Sequence, residues 1–269
     1  MTLILRSATV SDLGLVRSNN EDAGYAGRRL LAVADGIGGG PAGEWASELV
    51  IRTVVTAEDA PAEAEPAAAL LAALTTANEL IRAAVEGDPA LNGSGTTLTA
   101  LLLSGERLGL LHVGDSRAYL LREGSLRRLT TDDTFVQLLM ERGALTAEEA
   151  RRHPQRSVVI RAVQGRELEA TAAELSARLG DRYLVCSDGL SDVVSDELLA
   201  RTLADHDDPR QCAEQLVRLA VDAGGPDNVT VVIGDVVDSG GDASGDDGAD
   251  PGDVVAGGGG MSGAGGDAA

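Results

Sequence analysis

The sequence predicts an α+β fold in which helices cover antiparallel strands. Short apolar or β-branched runs bounded by turn residues are typical of strands, and they occur at residues 29–34, 97–103, 107–113, 117–121, 182–187 and 229–233. Two longer segments, 41–55 and 66–85, repeat apolar residues at the spacing of a helix with one buried face. Together, these patterns predict that the helices pack on the faces of a sheet.

Short turns join several of the predicted strands. Glycine-containing turns occur at 104–106, 114–116 and 123–125. Because connections this short can join only antiparallel neighbours, we predict a hairpin at each. Asp208 and Pro209 indicate the start of a third long helix, which ends near Ala223, and Thr146 with Glu149 indicates a capping box.

The charge and aromatic content exclude several classes of function. The chain carries 43 Asp and Glu against 22 Arg and no Lys, a net charge of -21, so it lacks the basic surface of a nucleic-acid-binding protein. Aromatic residues make up 2% of the chain, too few for platforms that stack bases. Neither a secretory signal nor an apolar run of about 18 residues is present. We therefore expect a cytoplasmic protein with no membrane contact and with two reduced cysteines, Cys186 and Cys212.

Residues 238–269 differ in composition from the rest of the chain. They contain seven Asp and twelve Gly, with no cation and no periodic apolar pattern. Such a segment cannot bury enough apolar surface to offset its chain entropy. We therefore predict one domain over residues 1–237, followed by a disordered acidic tail.

Aspartates stand at the ends of four predicted strands. Asp35, Asp115, Asp188 and Asp227 each lie beside a small or turn-forming residue. Any one of them alone is an ordinary turn residue. If all four converge, their charges repel unless a cation is bound, and oxygen ligands select Mg²⁺ or Mn²⁺ over Zn²⁺. Glycines after Asp35 allow the backbone to approach an ion closely, so the Gly36 carbonyl is a further candidate ligand.

The chain lacks the motifs of other phosphate-handling and hydrolytic enzymes. Without Lys, a phosphate-binding loop of the GxxxxGK[ST] type is impossible. No GxSxG segment is present, so a serine-hydrolase nucleophile is not indicated. The three His and two Cys are scattered, which argues against a zinc site.

Seven motifs follow one another along the chain: RSNNED at 17–22, VADGIGG at 33–39 with GEWAS at 43–47, SGTT at 94–97, GDSRAY at 114–119, LTTD at 129–132, CSDGL at 186–190 and PDNVT at 226–230. In this order they resemble the motifs of bacterial type 2C protein serine/threonine phosphatases, which are metal-dependent. The resemblance covers about residues 5–236. It implies two antiparallel β-sheets packed as a sandwich, helices on both outer faces (α-β-β-α), and a small flap subdomain at about 132–165.

The resemblance also implies roles for individual residues. Asp35 matches a carboxylate that bridges two metal ions, Asp188 and Asp227 match ligands of one of them, and the Gly36 carbonyl matches a ligand of the other. The remaining matches are Glu21 and Asp22 as ligands through water, Asp115 (with Asp188) and Asp192 at a third metal site, and Arg17 as the phosphate-binding residue. The implied cofactor is Mn²⁺ or Mg²⁺, with two ions at the main site and one more at the third site.

The implied activity is hydrolysis of phosphoserine and phosphothreonine in proteins by a hydroxide that two metal ions share. The implied partners are phosphorylated proteins and a Ser/Thr protein kinase, with the chain acting as a monomer. Two alternatives remain open: an inactive relative that binds phosphoproteins, and a phosphatase of a regulatory protein in a sensor pathway. Each position at which the resemblance implies a carboxylate ligand does carry an Asp or a Glu, which favours the active enzyme.

Two positions depart from the family pattern. Ile37 stands where some members carry a His proposed as a general acid. Asp133 stands where a His often follows the Asp of the Leu-Thr-x-Asp motif. Because Asp133 belongs to the predicted flap, we expect this change to affect substrate handling rather than metal binding.

Overall fold

Two antiparallel sheets face each other, and helices cover both outer faces. The computed structural model describes residues 2–38, 41–61, 64–240 and 253–256. In chain order the strands are β1 (Leu3–Asp12), β2 (Asp22–Ala26), β3 (Leu30–Ile37), β4 (Gly95–Thr96), β5 (Leu98–Ser104), β6 (Arg107–Val113), β7 (Arg117–Arg122), β8 (Ser125–Arg128), β9 (Thr171–Ser176), β10 (Arg182–Cys186), β11 (Val229–Asp238) and β12 (Asp253–Ala256). The helices are α1 (Pro41–Val54), α2 (Pro66–Gly87), α3 (Phe135–Glu141), α4 (Ala147–Arg152), α5 (Asp188–Ser191), α6 (Asp196–Asp205) and α7 (Pro209–Asp222).

Each sheet combines strands that are distant in the sequence. The first sheet has the order β1-β11-β10-β7-β8, and the second has the order β12-β2-β3-β5-β6-β9, with β4 paired to β3. The two chain ends of the domain meet in the first sheet, where Leu3 of β1 is opposite Asp238 of β11. This architecture confirms the predicted α-β-β-α sandwich.

The apolar core has three layers, because the central strands bury both faces. On β3, Leu31 and Val33 point between the sheets, whereas Leu30, Ala32 and Ala34 point toward α1 and α2. This alternation follows the two-residue period of a strand. Full burial of each Leu or Val side chain contributes roughly 1.5–3 kcal/mol, so the layers stabilise the scaffold that carries the cleft described below.

Strand β10 divides its side chains in the same way. Tyr183 and Val185 pack between the sheets, and Leu184 and Cys186 pack against the layer formed by α6 and α7. Both faces of β10 are therefore apolar, which explains why the sequence shows a continuous apolar run rather than alternation.

By length and composition alone, helix α2 is long and apolar enough to cross a membrane, since it has 22 residues and a high mean hydropathy. One side of it nevertheless belongs to the core, where Leu70, Leu74 and Ile81 are fully buried against α1 and the second sheet. The structure therefore uses α2 as a core helix.

The predicted helices and two of the three hairpins are confirmed. Helices α1, α2 and α7 match the predicted segments, and the Thr146–Glu149 capping box forms at α4. The turns at 104–106 and 123–125 join β5 to β6 and β7 to β8 as antiparallel pairs. The hairpin predicted at 114–116 is wrong, because β6 lies in the second sheet and β7 in the first. Gly114, with φ +108°, turns the chain across the sandwich at this point.

The predicted tail differs from the structure in one part. Residues 241–252 and 257–269 lie outside the described residues. Strand β11 extends to Asp238, and β12, at Asp253–Ala256 within the predicted tail, pairs with β2. The edge of β2 offers unpaired backbone groups, which is the physical reason that a short segment can add to it.

Candidate active site

A cleft of about 320 Å³ lies at the end of the sandwich where several strand ends from both sheets meet. The side chains and backbone that line it come from the loop before β2, the end of β3, the β6–β7 crossover, the start of α5, the loop before β11 and the flap. The predicted site residues among them are Arg17, Glu21, Asp35, Gly36, Asp115, Asp188 and Asp227. The fold therefore brings together carboxylates that are far apart in the sequence.

Asp35 is held through its backbone, which leaves its carboxylate free to face the cleft. Its N–H donates to Thr97 Oγ1 at 3.0 Å, and its carbonyl accepts from Thr97 N–H at 2.9 Å and from Thr96 Oγ1 at 2.8 Å. The Thr97 hydroxyl also shares a hydrogen bond of 2.8 Å with Ser116 Oγ. The SGTT motif thus fixes the end of β3 and ties it to the β6–β7 crossover.

Asp22 lies behind the cleft and connects the two sheets. It is directly opposite Asp35 in the β2–β3 register, and it is 1% exposed. Its Oδ2 accepts from Ser187 Oγ at 2.7 Å. Ser187 precedes Asp188, so this bond fixes one carboxylate relative to another across the sandwich.

Asn228 organises the loop that leads into β2. Its Oδ1 accepts from Glu21 N–H at 2.9 Å, and its Nδ2 donates to the carbonyls of Leu13 and Asn19, both at 3.0 Å. A single buried amide therefore fixes a loop to the start of β11. This positions Arg17 over the cleft, where its Nη2 donates to Asp227 Oδ2 at 2.7 Å.

Gly36 is required by close backbone packing. A Cβ at this position would lie 2.5 Å from the backbone of Gly43 and 2.7 Å from the Glu21 carbonyl. Only glycine allows the residue after Asp35 to contact both segments. The predicted ligand carbonyl is therefore on a backbone that cannot accept a larger residue without moving.

Burial and mutual repulsion raise the pKa values of the clustered carboxyls. Burial is the largest cause at Asp35 and Asp188, whose side chains keep only partial contact with the cleft solvent, and the charges of Asp22, Asp115 and Asp227 raise the pKa of both further. Burial also raises the pKa of Asp115 to about 7 and that of Asp22 to about 6. Such a cluster is destabilising at neutral pH unless positive charge is brought to it.

The donor set fits a hard divalent cation. Asp188 Oδ1 is buried and makes no hydrogen bond. The predicted metal-ligand atoms at the cleft are carboxylate and carbonyl oxygens, which hard divalent cations prefer. Across the part of the chain that the structure describes, no three Asp, Glu, His or Cys side chains are already arranged as a ligand shell. Arg17 contacts Asp227 and Ser187 contacts Asp22, so these carboxylates are engaged by protein donors.

Asp192, like Asp22, is a predicted ligand that does not line this cleft. It lines a neighbouring cavity of about 640 Å³, which shares Asp115 and Asp188 with the cleft. Burial is the largest cause that raises its pKa, and the nearby Arg117 and Arg156 lower it. Asp192 therefore lines the same cavity as Asp115 and Asp188.

Comparison with known families identifies the chain. The family model described as "Protein phosphatase 2C" matches residues 17–220, which contain six of the seven motifs. The chain belongs to the protein phosphatase 2C family. This confirms the resemblance inferred from the sequence.

Curated phosphatase 2C relatives are bacterial. The serine/threonine protein phosphatase PstP of Mycobacterium tuberculosis (strain H37Rv) is 55% identical over 238 residues, which cover 88% of this chain and 46% of the relative. This chain therefore spans about half the length of that relative. The serine/threonine phosphatase Stp of Listeria monocytogenes (strain EGD-e) is 33% identical, with 87% of this chain and 98% of the relative covered.

Solved phosphatase 2C structures share the fold. The crystal structure of M. tuberculosis PstP has a TM-score of 0.85 and 54% identity, covering 87% of this chain and 100% of that one. The PstP catalytic domain in complex with two manganese ions has a TM-score of 0.83 and 53% identity, covering 88% of this chain and 100% of that one.

Several residues around the phosphatase 2C cleft had no role assigned from the sequence. The flap contributes Ser157, Val159, Ile160, Ala162 and Gln164 to the cleft wall. The flap sequence contains no motif that indicates these contacts, because only the folded chain places the flap beside the cleft. The roles of Thr97 and Asn228 could have been suspected, since both belong to quoted motifs and are polar residues beside apolar strands.

The two departures from the family pattern lie in different places. Ile37 lines the cleft, so an apolar side chain occupies that position. Asp133 is buried at the root of the flap, where its Oδ2 accepts from Gly114 N–H at 3.1 Å and its N–H donates to the Gly114 carbonyl at 2.7 Å. Gly114 precedes Asp115, so Asp133 contacts the segment of a predicted metal ligand as well as the flap.

Proposed function

We propose that this chain hydrolyses phosphoserine and phosphothreonine in proteins with Mn²⁺ or Mg²⁺ as cofactor. The observation that carries the proposal is the convergence of Asp35, Asp115, Asp188 and Asp227 with Arg17 in one cleft. Family membership and the metal-bound PstP neighbour support it. The proposal concerns this domain, which spans about half of the M. tuberculosis relative.

The carboxylates are proposed to hold the ions. Asp35 would be shared by two ions, Asp188 and Asp227 would hold one of them, and the Gly36 carbonyl would help to hold the other. Glu21 and Asp22 hold ligand waters, and Asp115 with Asp188 and Asp192 forms a third site. When bound, the divalent ions lower the pKa of a nucleophilic water and neutralise phosphoryl charge.

Arg17 is proposed to orient the phosphoryl group. Its guanidinium is planar and presents parallel N–H donors, so it can bind two phosphoryl oxygens at once, which a Lys cannot. It lies at the cleft mouth with its side chain 49% exposed, where an incoming phosphate can reach it. Charge that develops on those oxygens in the transition state is stabilised by the same donors.

Among the described residues of the cleft we find no activated protein nucleophile, which supports direct attack by water. Cys186 and Cys212 are buried away from the cleft wall, and the Thr97 hydroxyl is engaged by Asp35 and Ser116. Among the described residues that line the cleft none is a His, so the leaving oxygen takes its proton from water. The covalent route used by cysteine phosphatases is therefore not proposed.

Phosphorylated proteins are the proposed substrates, and a Ser/Thr protein kinase is the proposed opposing enzyme. We also propose that the catalytic unit comprises residues 1–237 and acts as a cytoplasmic monomer without nucleic-acid or membrane contacts. The two unpaired cysteines support a reducing compartment, and the net charge of -21 argues against nucleic-acid contact.

Hydrolysis of p-nitrophenyl phosphate and of a phosphothreonine peptide tests the proposal. We expect turnover with Mn²⁺ or Mg²⁺ and none after chelation with EDTA. Folded protein that binds the phosphopeptide without metal-dependent turnover would instead support the inactive, phosphoprotein-binding alternative.

A further inference from the structure

Exposed apolar side chains occur on two segments that reach the cleft. In the described ranges, eight large hydrophobic side chains are exposed. Five of the eight lie on two segments that reach the cleft: Leu13, Leu15, Val16, Val158 and Ile160. We call these five side chains the apolar rim.

The first half of the rim is held rigidly beside Arg17. Leu15 N–H donates to the Gly225 carbonyl at 2.8 Å, and the Leu13 carbonyl accepts from Asn228 Nδ2 at 3.0 Å. Gly14 has φ +74°, and a Cβ there would lie 2.2 Å from the Asp227 carbonyl. The loop therefore presents its apolar side chains in a fixed position, with Leu15 67% and Val16 70% exposed.

The second half of the rim belongs to the flap. The Val158 carbonyl accepts from Phe135 N–H at 2.8 Å, and Ile160 N–H donates to the Asp133 carbonyl at 2.8 Å. Between them, Val159 pairs with Thr134, which fixes this segment to the residue before α3. Ile160 also lines the cleft, and so does Arg17, which directly follows Val16. Each half of the rim therefore contains or directly precedes a residue that lines the same cleft.

Singly exposed apolar residues need no explanation, but five on two segments that reach one cleft do. No charged residue of the loop interrupts the run from Leu13 to Val16, and backbone hydrogen bonds hold both segments in place. The cleft itself is acidic, with Glu21 and four aspartates against Arg17. A ligand that approaches the cleft therefore meets apolar surface outside and negative charge inside.

We propose that the apolar rim binds apolar side chains that flank the phosphorylated residue of the substrate. The substrate class is thus a phosphoserine or phosphothreonine with Leu-like or Val-like neighbours and without acidic ones. The inference rests on the proposed function, because it assigns the cleft to the phosphoryl group. Continuity of the rim with the cleft favours the substrate chain as its occupant over a separate partner.

Two phosphothreonine peptides that differ only in their flanking residues test the proposal. One has Leu on both sides of the phosphothreonine, and the other has Ser. For the wild type we expect the ratio of the two kcat/KM values to be on the order of tenfold in favour of Leu. Two double substitutions should each reduce this ratio to about two or three. The first is Leu15→Ser with Val16→Ser, and the second is Val158→Ser with Ile160→Ser.

Matched controls are Leu71→Ser and Leu179→Ser, which remove exposed leucines that do not line the cleft. Both should keep the wild-type ratio. Because the ratio compares two substrates on one protein, loss of folded enzyme does not change it. A wild-type ratio near one, or a ratio that survives both rim substitutions, would overturn the inference.

The outcomes separate this inference from the proposed function. Wild-type protein that fails to hydrolyse p-nitrophenyl phosphate with Mn²⁺ contradicts the function itself. Active protein without preference contradicts only the rim. Sedimentation of the same variants tests whether a second copy of the chain covers the rim instead. If the protein is a dimer that both rim substitutions dissociate, and the peptide ratio is unchanged, the inference is also overturned.

Discussion

The Asp133 carboxylate accepts a hydrogen bond from Arg161 Nη1 at 2.7 Å, which joins the start of the flap to its returning segment. The same residue exchanges two hydrogen bonds with Gly114 and accepts one from Ile160 N–H. Through its side chain and its backbone, this one buried residue therefore links the flap, the cleft wall and the β6–β7 crossover. Its neighbour Asp132 pairs with Arg117 and Arg128 instead, so the two aspartates fix the flap to different parts of the domain.

Asp133→Ala should destabilise the domain by about 2 kcal/mol, because it leaves the buried Gly114 N–H without its side-chain acceptor. The ion pair contributes less, since Arg161 is 46% exposed. Denaturant unfolding measures the change. Glu169→Gln removes the other, exposed partner of Arg161 and should change stability by less than about 0.5 kcal/mol. Equal effects of the two substitutions would contradict the assigned role of Asp133.

Asp35→Asn should lower kcat by at least about 100-fold and weaken Mn²⁺ binding by at least about tenfold, because the bridging charge is removed. The same substitution should raise the stability of the metal-free protein at pH 7, because repulsion between Asp35 and the neighbouring carboxylates disappears. Calorimetric titration and thermal unfolding measure these quantities.

Asp205→Asn, the same change at an exposed position of α6, is the control for Asp35→Asn and should alter neither Mn²⁺ affinity nor stability. Near-native activity of Asp35→Asn would remove Asp35 from the mechanism.

His112 should make the domain less stable in acid. Its ring is buried between Thr99 Oγ1 and the Thr131 carbonyl, and burial, the largest cause, lowers its pKa from the ordinary value of 6.5. The unfolded chain therefore binds the proton more readily, so this part of the stability is present above pH 6.5 and is lost as the pH falls below it. The charges of Asp132 and Asp133 oppose the shift, and that of Arg128 adds to it.

Unfolding free energies of wild type and His112→Gln between pH 5 and pH 8 measure this contribution. The variant is expected to be less stable overall because the packing at this position changes, but its stability should fall less steeply below about pH 6.5. Parallel pH profiles of the two proteins would show that His112 does not titrate in this range.

Truncation after Gly240 should leave kcat/KM within about twofold of the full chain. Strand β11 ends at Asp238, and Ser239 N–H still donates to the Thr2 carbonyl in the shortened chain. Loss of the β12–β2 pairing should reduce the unfolding free energy by no more than about 1 kcal/mol. A large loss of activity would show that the segment after Gly240 contributes to the catalytic unit.

The sequence predicted the long helices and the central strands because their burial pattern is local. Helix α7 shows its periodicity, N-cap and first-turn Pro within 15 residues, so neighbouring residues alone define it. Strands β2 and β9 were missed for the opposite reason. The Asp-Ala-Gly-Tyr-Ala sequence of β2 contains few strand-forming residues, and it is buried only because other elements cover it.

The sequence by itself determined which residue types could perform the chemistry, since the aspartates and Arg17 stand in recognisable motifs. Only the tertiary structure decided that Gly114–Ser116 crosses between the sheets, that Asn228 fixes the loop of Arg17, and that Arg17 and Ile160 line one cleft. A turn has the same local residues whether it returns within a sheet or crosses to another. That choice depends on the packing free energy of strands far away in the chain, which no local pattern records.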